Sequence, residues 1–117
     1  MALTHAAATR NSIADAVLAD IGTSGFLILY TSGDVEVATL ALAATAGVVT
    51  AEDLVFTTPS DDVSATGGVV SYMAIETSGA VEVFRFNATG DGVTLSSTTI
   101  TATDTVTCSA LTYTAPA

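Results

Sequence analysis

Apolar runs alternate with short polar turns along most of the chain, and one such unit occurs twice. Thr31-Ser32-Gly33-Asp34-Val35-Glu36-Val37 recurs forty-six positions on as Thr77-Ser78-Gly79-Ala80-Val81-Glu82-Val83. Phe26-Leu27-Ile28-Leu29-Tyr30 precedes the first copy and Tyr72-Met73-Ala74-Ile75 the second; Ala38 to Leu42 and Phe84-Arg85-Phe86 follow them. Two apolar runs flanking a short glycine-containing turn predict a β-hairpin. The offset superposes Leu27 and Leu29 on Met73 and Ile75, and Ala38 and Leu40 on Phe84 and Phe86. Because the apolar side is kept in both copies, two equivalent hairpins packed pseudo-symmetrically are expected. Two copies are too few for a solenoid.

Before the first hairpin the period changes. Ile13, Val17 and Ile21 lie four apart with Ala14 and Leu18 beside them, while Arg10, Asp15 and Ala19 fall elsewhere. This spacing predicts an amphipathic helix from His5 to Asp20, with Thr4 as N-cap and Gly22 as the residue past its end. After it, strands are predicted at Gly25–Thr31, Val35–Leu42, Leu54–Thr58, Val69–Thr77, Ala80–Asn87, Gly92–Leu95 and Thr105–Tyr113. Val48–Thr50 and Thr99–Thr101 carry a weaker signal. Turns are marked by Ser32-Gly33-Asp34, Pro59-Ser60-Asp61-Asp62, Gly67-Gly68, Ser78-Gly79 and Gly90-Asp91-Gly92. The expected fold is α+β, mainly β: residues 1–22 form an N-terminal helix or docking arm, and residues 23–117 an antiparallel β-sandwich with two repeated hairpins. The helix covers a sheet face or edge of its own domain, or docks on a partner; periodicity does not separate the two.

Composition narrows the function classes. A chain of 117 residues suffices for one domain that folds without metal or disulfide. Aromatics are 6% and Trp is absent, so Val, Leu, Ile and Ala must build the core while Ser and Thr fill the solvent faces. Such a hydroxyl surface suits strands, and it is cheap to desolvate against a neighbouring molecule. Lys+Arg total 2 against Asp+Glu 12, a formal net charge of −10, and Arg10 and Arg85 are the only permanent cations. Phosphate neutralisation needs clustered basic residues, so neither nucleic acid nor an anionic membrane surface is an expected partner. No apolar run is long enough for a transmembrane helix. Ala2 to Arg10 lacks the pattern of a secretory signal, and the single Cys108 has no internal disulfide partner, which fits synthesis in a reducing cytoplasm.

The residue types that carry chemistry are sparse. His5 and Cys108 are the only His and Cys, and catalysis would need them to converge with an orienting third group. Val106, Cys108 and Ala110 fall on one strand face, which reads Cys108 as a core residue. Zinc lacks ligands. Glu52-Asp53, Asp61-Asp62 and the Asp91 turn offer oxygens to calcium, but no segment follows the EF-hand pattern. Glu36 and Glu82, equivalent in the two hairpins, read as solvated acids beside turns; a glycosidase would set its two acids across an aromatic-lined cleft. The glycines form no phosphate loop. Asn87-Ala88-Thr89 matches a glycosylation sequon. Arg85, between Phe84 and Phe86, should point away from them toward an acid of its own chain or a partner. No catalytic, metal or cofactor site is expected.

Met1-Ala2-Leu3-Thr4 with Ala6-Ala7 and Arg10, then Ile13-Ala14-Asp15-Ala16-Val17, resembles the start of a family of small virion structural proteins of tailed bacteriophages. Thr31-Ser32-Gly33 leading to Glu36-Val37-Ala38-Thr39-Leu40 is similar too. So is the close from Leu95-Ser96-Ser97-Thr98-Thr99-Ile100 through Asp104-Thr105-Val106 to Leu111-Thr112-Tyr113-Thr114-Ala115-Pro116. Ala43 to Leu54 departs from the pattern, where a Phe-Gly loop is usual. The resemblance implies a head decoration or tail-associated protein with no active site. The expectation is a non-enzymatic capsid decoration or cement protein on the virion surface, a homo-oligomer bound to the major capsid protein. Leu3, Arg10, Ile13, Val17 and Arg85 are the expected contact residues. Alternatives are a tail or neck component, or a carbohydrate- or calcium-binding adhesion module using Asp61, Asp62 and Asp91.

Overall fold

In the computed structural model, which describes residues 4–87 and 93–115, the two sequence repeats form one sheet and face each other across its centre. Strands β1 (Phe26–Tyr30) and β2 (Glu36–Ala41) make the first hairpin; β6 (Tyr72–Glu76) and β7 (Glu82–Asn87) make the second. The sheet order is β2-β1-β6-β7, with every neighbour antiparallel. The β1–β6 register pairs Leu27 with Ile75, Ile28 with Ala74 and Leu29 with Met73. Positions equivalent by the repeat therefore exchange places across the pair, and the central pair, Ile28 and Ala74, consists of equivalents. A pseudo-two-fold axis runs through that pair, perpendicular to the sheet.

The equivalence extends to the turns. Asp34 N–H donates to Thr31 O at 3.0 Å and Ala80 N–H to Thr77 O at 2.9 Å, with φ of 64° and 63° at these left-handed positions. The hydroxyls of Thr31 and Thr77 each accept from two turn amides, Gly33 and Val35 in one copy, Gly79 and Val81 in the other, all at 3.2 Å. Each hairpin also carries one bulge at the same place, opposite Leu29/Tyr30 and opposite Ile75/Glu76.

The second sheet has the order β3-β4-β10-β8, from Gly47–Thr50, Asp53–Phe56, Cys108–Thr114 and Val93–Leu95 respectively. A two-stranded ribbon, β5 (Gly68–Val69) with β9 (Thr99–Ile100), pairs with neither sheet. The sheets stack through one core: Leu27, Leu29, Leu40, Met73 and Ile75 from the first meet Leu54, Phe56 and Leu111 from the second. Phe84 bridges them, with its ring centroid 5.2 Å from Tyr113 and 6.5 Å from Phe56. The α+β, mainly β, sandwich-like fold with an N-terminal helix and two repeated hairpins is thus what the chain adopts.

Several local expectations need correction. The helix α1 spans Ala7–Ile21, and its N-cap is Ala6, without a side-chain cap, so Thr4 does not start it. Gly22 ends it as expected, at φ 69° with its N–H on Leu18 O. The predicted strand Val69–Thr77 is broken: Val70 N–H leaves for Thr98 O and Ser71 N–H for Tyr30 O, separating β5 from β6. Gly68 belongs to β5 and not to a turn. Ala110 does not share a face with Val106 and Cys108. A register shift between Cys108 and Ala110 turns it to solvent while both of the others stay buried. The Gly90-Asp91-Gly92 turn lies outside the described residues.

Helix α1 packs against β3, β4 and β7. Ala14 and Ile21 are buried in the common core, and Ile13, Val17 and Leu18 pack on its margin. Two polar clasps fasten it. The Arg10 guanidinium donates to Ala115 O at 3.2 and 2.9 Å, and Asn11 Oδ1 accepts from Glu52 N–H at 2.9 Å. Glu52 and Ala51 form the β3–β4 turn with φ of 68° and 49°. Non-glycine residues are disfavoured there by about 1–3 kcal/mol each. The helix and the C-terminal segment, through Ala115 N–H on Glu52 O, hold that turn in place.

Candidate interaction surface

The first sheet has one face in the core and one outside, and the outer face concentrates the chain's polar aromatic groups. Alternation along β1 and β6 turns Leu27, Leu29, Met73 and Ile75 inward, leaving Tyr30, Tyr72, Ala74 and Glu76 on the other side. Tyr30 and Tyr72 are direct cross-strand partners, and their rings stack at 5.1 Å with 17° between planes. The Arg85 guanidinium sits 4.7 Å over Tyr72, so the stack runs across β1, β6 and β7. Carboxylates finish it: Tyr30 donates its hydroxyl to Glu76 Oε2 at 2.6 Å, Tyr72 to Asp34 Oδ1 at 2.7 Å, and Arg85 reaches Glu82 Oε1 at 2.7 Å. Ala74 is fully buried on this face and belongs to no core cluster, which places it beneath these side chains.

The electrostatics follow from these contacts. The bond to Glu76, with burial and the nearby acids, holds the Tyr30 phenol well above its ordinary value. The bond to Asp34 raises Tyr72 in the same way, and Glu82 holds the charge on Arg85 more firmly. Glu76 is 7% exposed, the one buried charged residue among those described, and its partner is a hydroxyl rather than a cation. The face is thus a hydrogen-bonded aromatic platform.

The two edges of this sheet differ. A loop over residues 57–67 closes β2: Ser60 N–H donates to Ala41 O, Thr66 and Gly67 N–H to Val37 O, and Thr39 N–H to Asp62 Oδ2. At the other end, β7 pairs with β6 alone, and among the described residues no strand pairs with its outer edge. Beside that edge runs a groove of about 540 Å³ lined by residues 84–86 and 111–114. Phe84, Phe86 and Tyr113 are half-buried there. An unpaired strand edge bordering apolar rings offers main-chain hydrogen-bonding groups and ring faces to an added strand.

Of the expected contact residues, Arg85 stands on this edge, 58% exposed at its side chain. Arg10 spends its guanidinium on Ala115 O, and Ile13 and Val17 pack against the chain's own core. Leu3 lies outside the described residues. The Tyr30–Tyr72–Arg85 stack escaped the sequence reading because its members come from three strands whose pairing no local pattern reveals. The nearest signal is that Tyr30 and Glu76 are the pair of equivalent positions at which the repeat departs from apolar identity.

The other candidates take ordinary places. Cys108 is fully buried, which pushes its thiol up, and Sγ lies 3.3 Å from Ala110 O. His5 lies half-buried ahead of the helix. Asp62 spends both carboxylate oxygens on backbone amides, those of Thr39 and Ser64, and Asp61 is exposed. Glu36 accepts from the Thr39 and Thr66 hydroxyls. Among the described residues no three His, Cys, Asp or Glu side chains gather as a metal site, and no helix is long and apolar enough to cross a membrane. Asp91 and the last two sequon residues lie outside the described residues. No family model, curated protein or solved structure matches the chain.

Proposed function

We propose that the chain is a non-enzymatic structural protein of a tailed-bacteriophage virion, a decoration or cement protein that binds the outside of the major capsid protein and stabilises the shell. The observation that supports this reading best is the outer face of the first sheet, where Tyr30, Tyr72 and Arg85 stack and bond to Glu76, Asp34 and Glu82, a polar aromatic surface suited to contact with another protein. The resemblance carried by the N-terminal, hairpin and C-terminal segments points the same way. So does an acidic, lysine-free, hydroxyl-rich exterior, which repels nucleic acid and loses little on desolvation against protein. On a shell, many copies act together, and weak contacts at each site sum to durable attachment.

The test is the stoichiometry of this chain relative to the major shell protein in purified particles, with the heat stability of particles lacking it. Hundreds of copies, and shells that open at lower temperature without them, are expected. A handful of copies would reassign the chain to the tail or neck, and absence from particles would overturn the virion reading. The helix is integral to the core, so deletion of residues 1–20 would unfold the domain and say nothing about capsid binding. Substitution at an exposed residue of the outer face away from β7, such as Asp34, gives the readable version.

A further inference from the structure

We propose that the β7 edge pairs with β7 of a second copy about a two-fold axis between Val83 and Phe84, so that Glu82 meets the partner's Arg85 twice. The bulge makes this register possible. In the β6–β7 pair Glu82 faces Glu76 and Phe84 faces Ile75, leaving Val83 as the extra residue. Val83 and Phe84 both pack toward the core, and Glu82 and Arg85 come out together on the opposite face, close enough for a 2.7 Å ion pair. In a regular strand, residues three apart would lie on opposite faces. Here an antiparallel copy centred between Val83 and Phe84 sets acid against cation on the outer face at both ends, and Val83 against Phe84 on the inner one.

Three observations select a second copy as the occupant. First, charge: with a net charge of −10, two copies repel, so an interface between them needs a cation in reciprocal register with an acid. The chain has two arginines; Arg10 is half-buried on Ala115 O, whereas Arg85, paired with Glu82 of its own strand, is exposed on the β7 edge, where it can exchange that acid for the partner's. Second, the domain already pairs equivalent strands with one another, since β1 and β6 run antiparallel about the pseudo-axis at Ile28 and Ala74. Third, the opposite edge of the same sheet is closed by the loop over residues 57–67, so β7 is where that sheet can grow. Pairing would carry the sheet from four strands to eight and lay the second copy along the groove beside Phe84 and Phe86.

Charge exchange tests the register in solution, without capsids, so its outcome is independent of the virion reading. Sedimentation equilibrium of the full chain is expected to show a dimer. Arg85→Glu sets acids against acids and Glu82→Arg sets cations against cations; each should weaken self-association about tenfold or more. An equimolar mixture of the two variants, and the double variant Glu82→Arg/Arg85→Glu, should both recover dimers. Both side chains are exposed, and circular dichroism of each variant verifies the fold; Glu82→Gln and Arg85→Gln supply milder variants with a smaller loss. A monomeric wild type overturns the proposal, as does an oligomer that neither single reversal weakens, or reversals that fail to complement one another.

Discussion

Tyr30 and Glu76 occupy the same place in the two repeats and bond to each other, which makes a single side chain answerable for much of the outer face. Tyr30→Phe keeps the ring stack but leaves the Glu76 carboxylate, 7% exposed, without its hydroxyl donor. Losing a hydrogen bond to a buried charged group costs about 1.5–3 kcal/mol, and denaturant unfolding measures it. The same contact sets a pH dependence. The folded phenol lies above its unfolded value of about 10. Its stabilising contribution is therefore complete below about pH 10 and is lost as the pH rises through the folded value. Alkaline unfolding should be steeper in wild type than in Tyr30→Phe, and parallel curves for the two proteins would refute that assignment. The bond itself is not legible in the sequence, since it spans forty-six positions and depends on β1 pairing with β6.

Between the elements, the hairpins are a rare case in which sequence identity can be checked bond by bond. Thr31 and Thr77 cap their turns with the same pair of amide contacts, at the same distances, at opposite ends of one sheet. Thr31→Val and Thr77→Val should therefore destabilise by similar amounts, about 0.5–1.5 kcal/mol each, and additively, as unfolding of the two single variants and the double variant would show. Unequal effects would refute the energetic equivalence of the two turns. The β3–β4 turn is the contrasting element. Ala51-Glu52 carries none of the Asn-Gly chemistry of a two-residue hairpin, yet it adopts left-handed φ at both positions. Asn11 and the Ala115 amide hold Glu52 from outside, so no local reading could have found the turn.

Over the whole molecule, charge acts without any particular pair. Twelve acids against two arginines repel across a small surface, and the one ion pair among the described residues is exposed. Salt shortens the reach of this repulsion, from a Debye length of about 30 Å at 0.01 M to about 8 Å at 0.15 M. The melting temperature of dilute protein should thus rise by several degrees over that range; a fall would mean that attractive surface pairs outweigh net charge. The same repulsion acts between copies, and a contact in which Arg85 meets an acid of a neighbour would offset it locally.

The hairpins, their equivalence, the helix and its glycine stop, and the apolar side of the paired hairpin strands are legible in residue order alone. All of these depend on residue type within a few positions: apolar alternation, turn residues and backbone freedom at Gly22. Tertiary structure decided what lies next to what. The helix begins at Ala7 because its N-terminal turn is fastened by Arg10 and Asn11 to Ala115 and Glu52, and not because a capping residue precedes it. The run from Val69 splits because Thr98 and Tyr30 compete for its amides. Ala110 turns outward because β10 shifts register against β8. Arg85 became a surface cation on an open edge only when β7 was placed last in its sheet, since strand order follows from how two sheets share one core and no single strand encodes it.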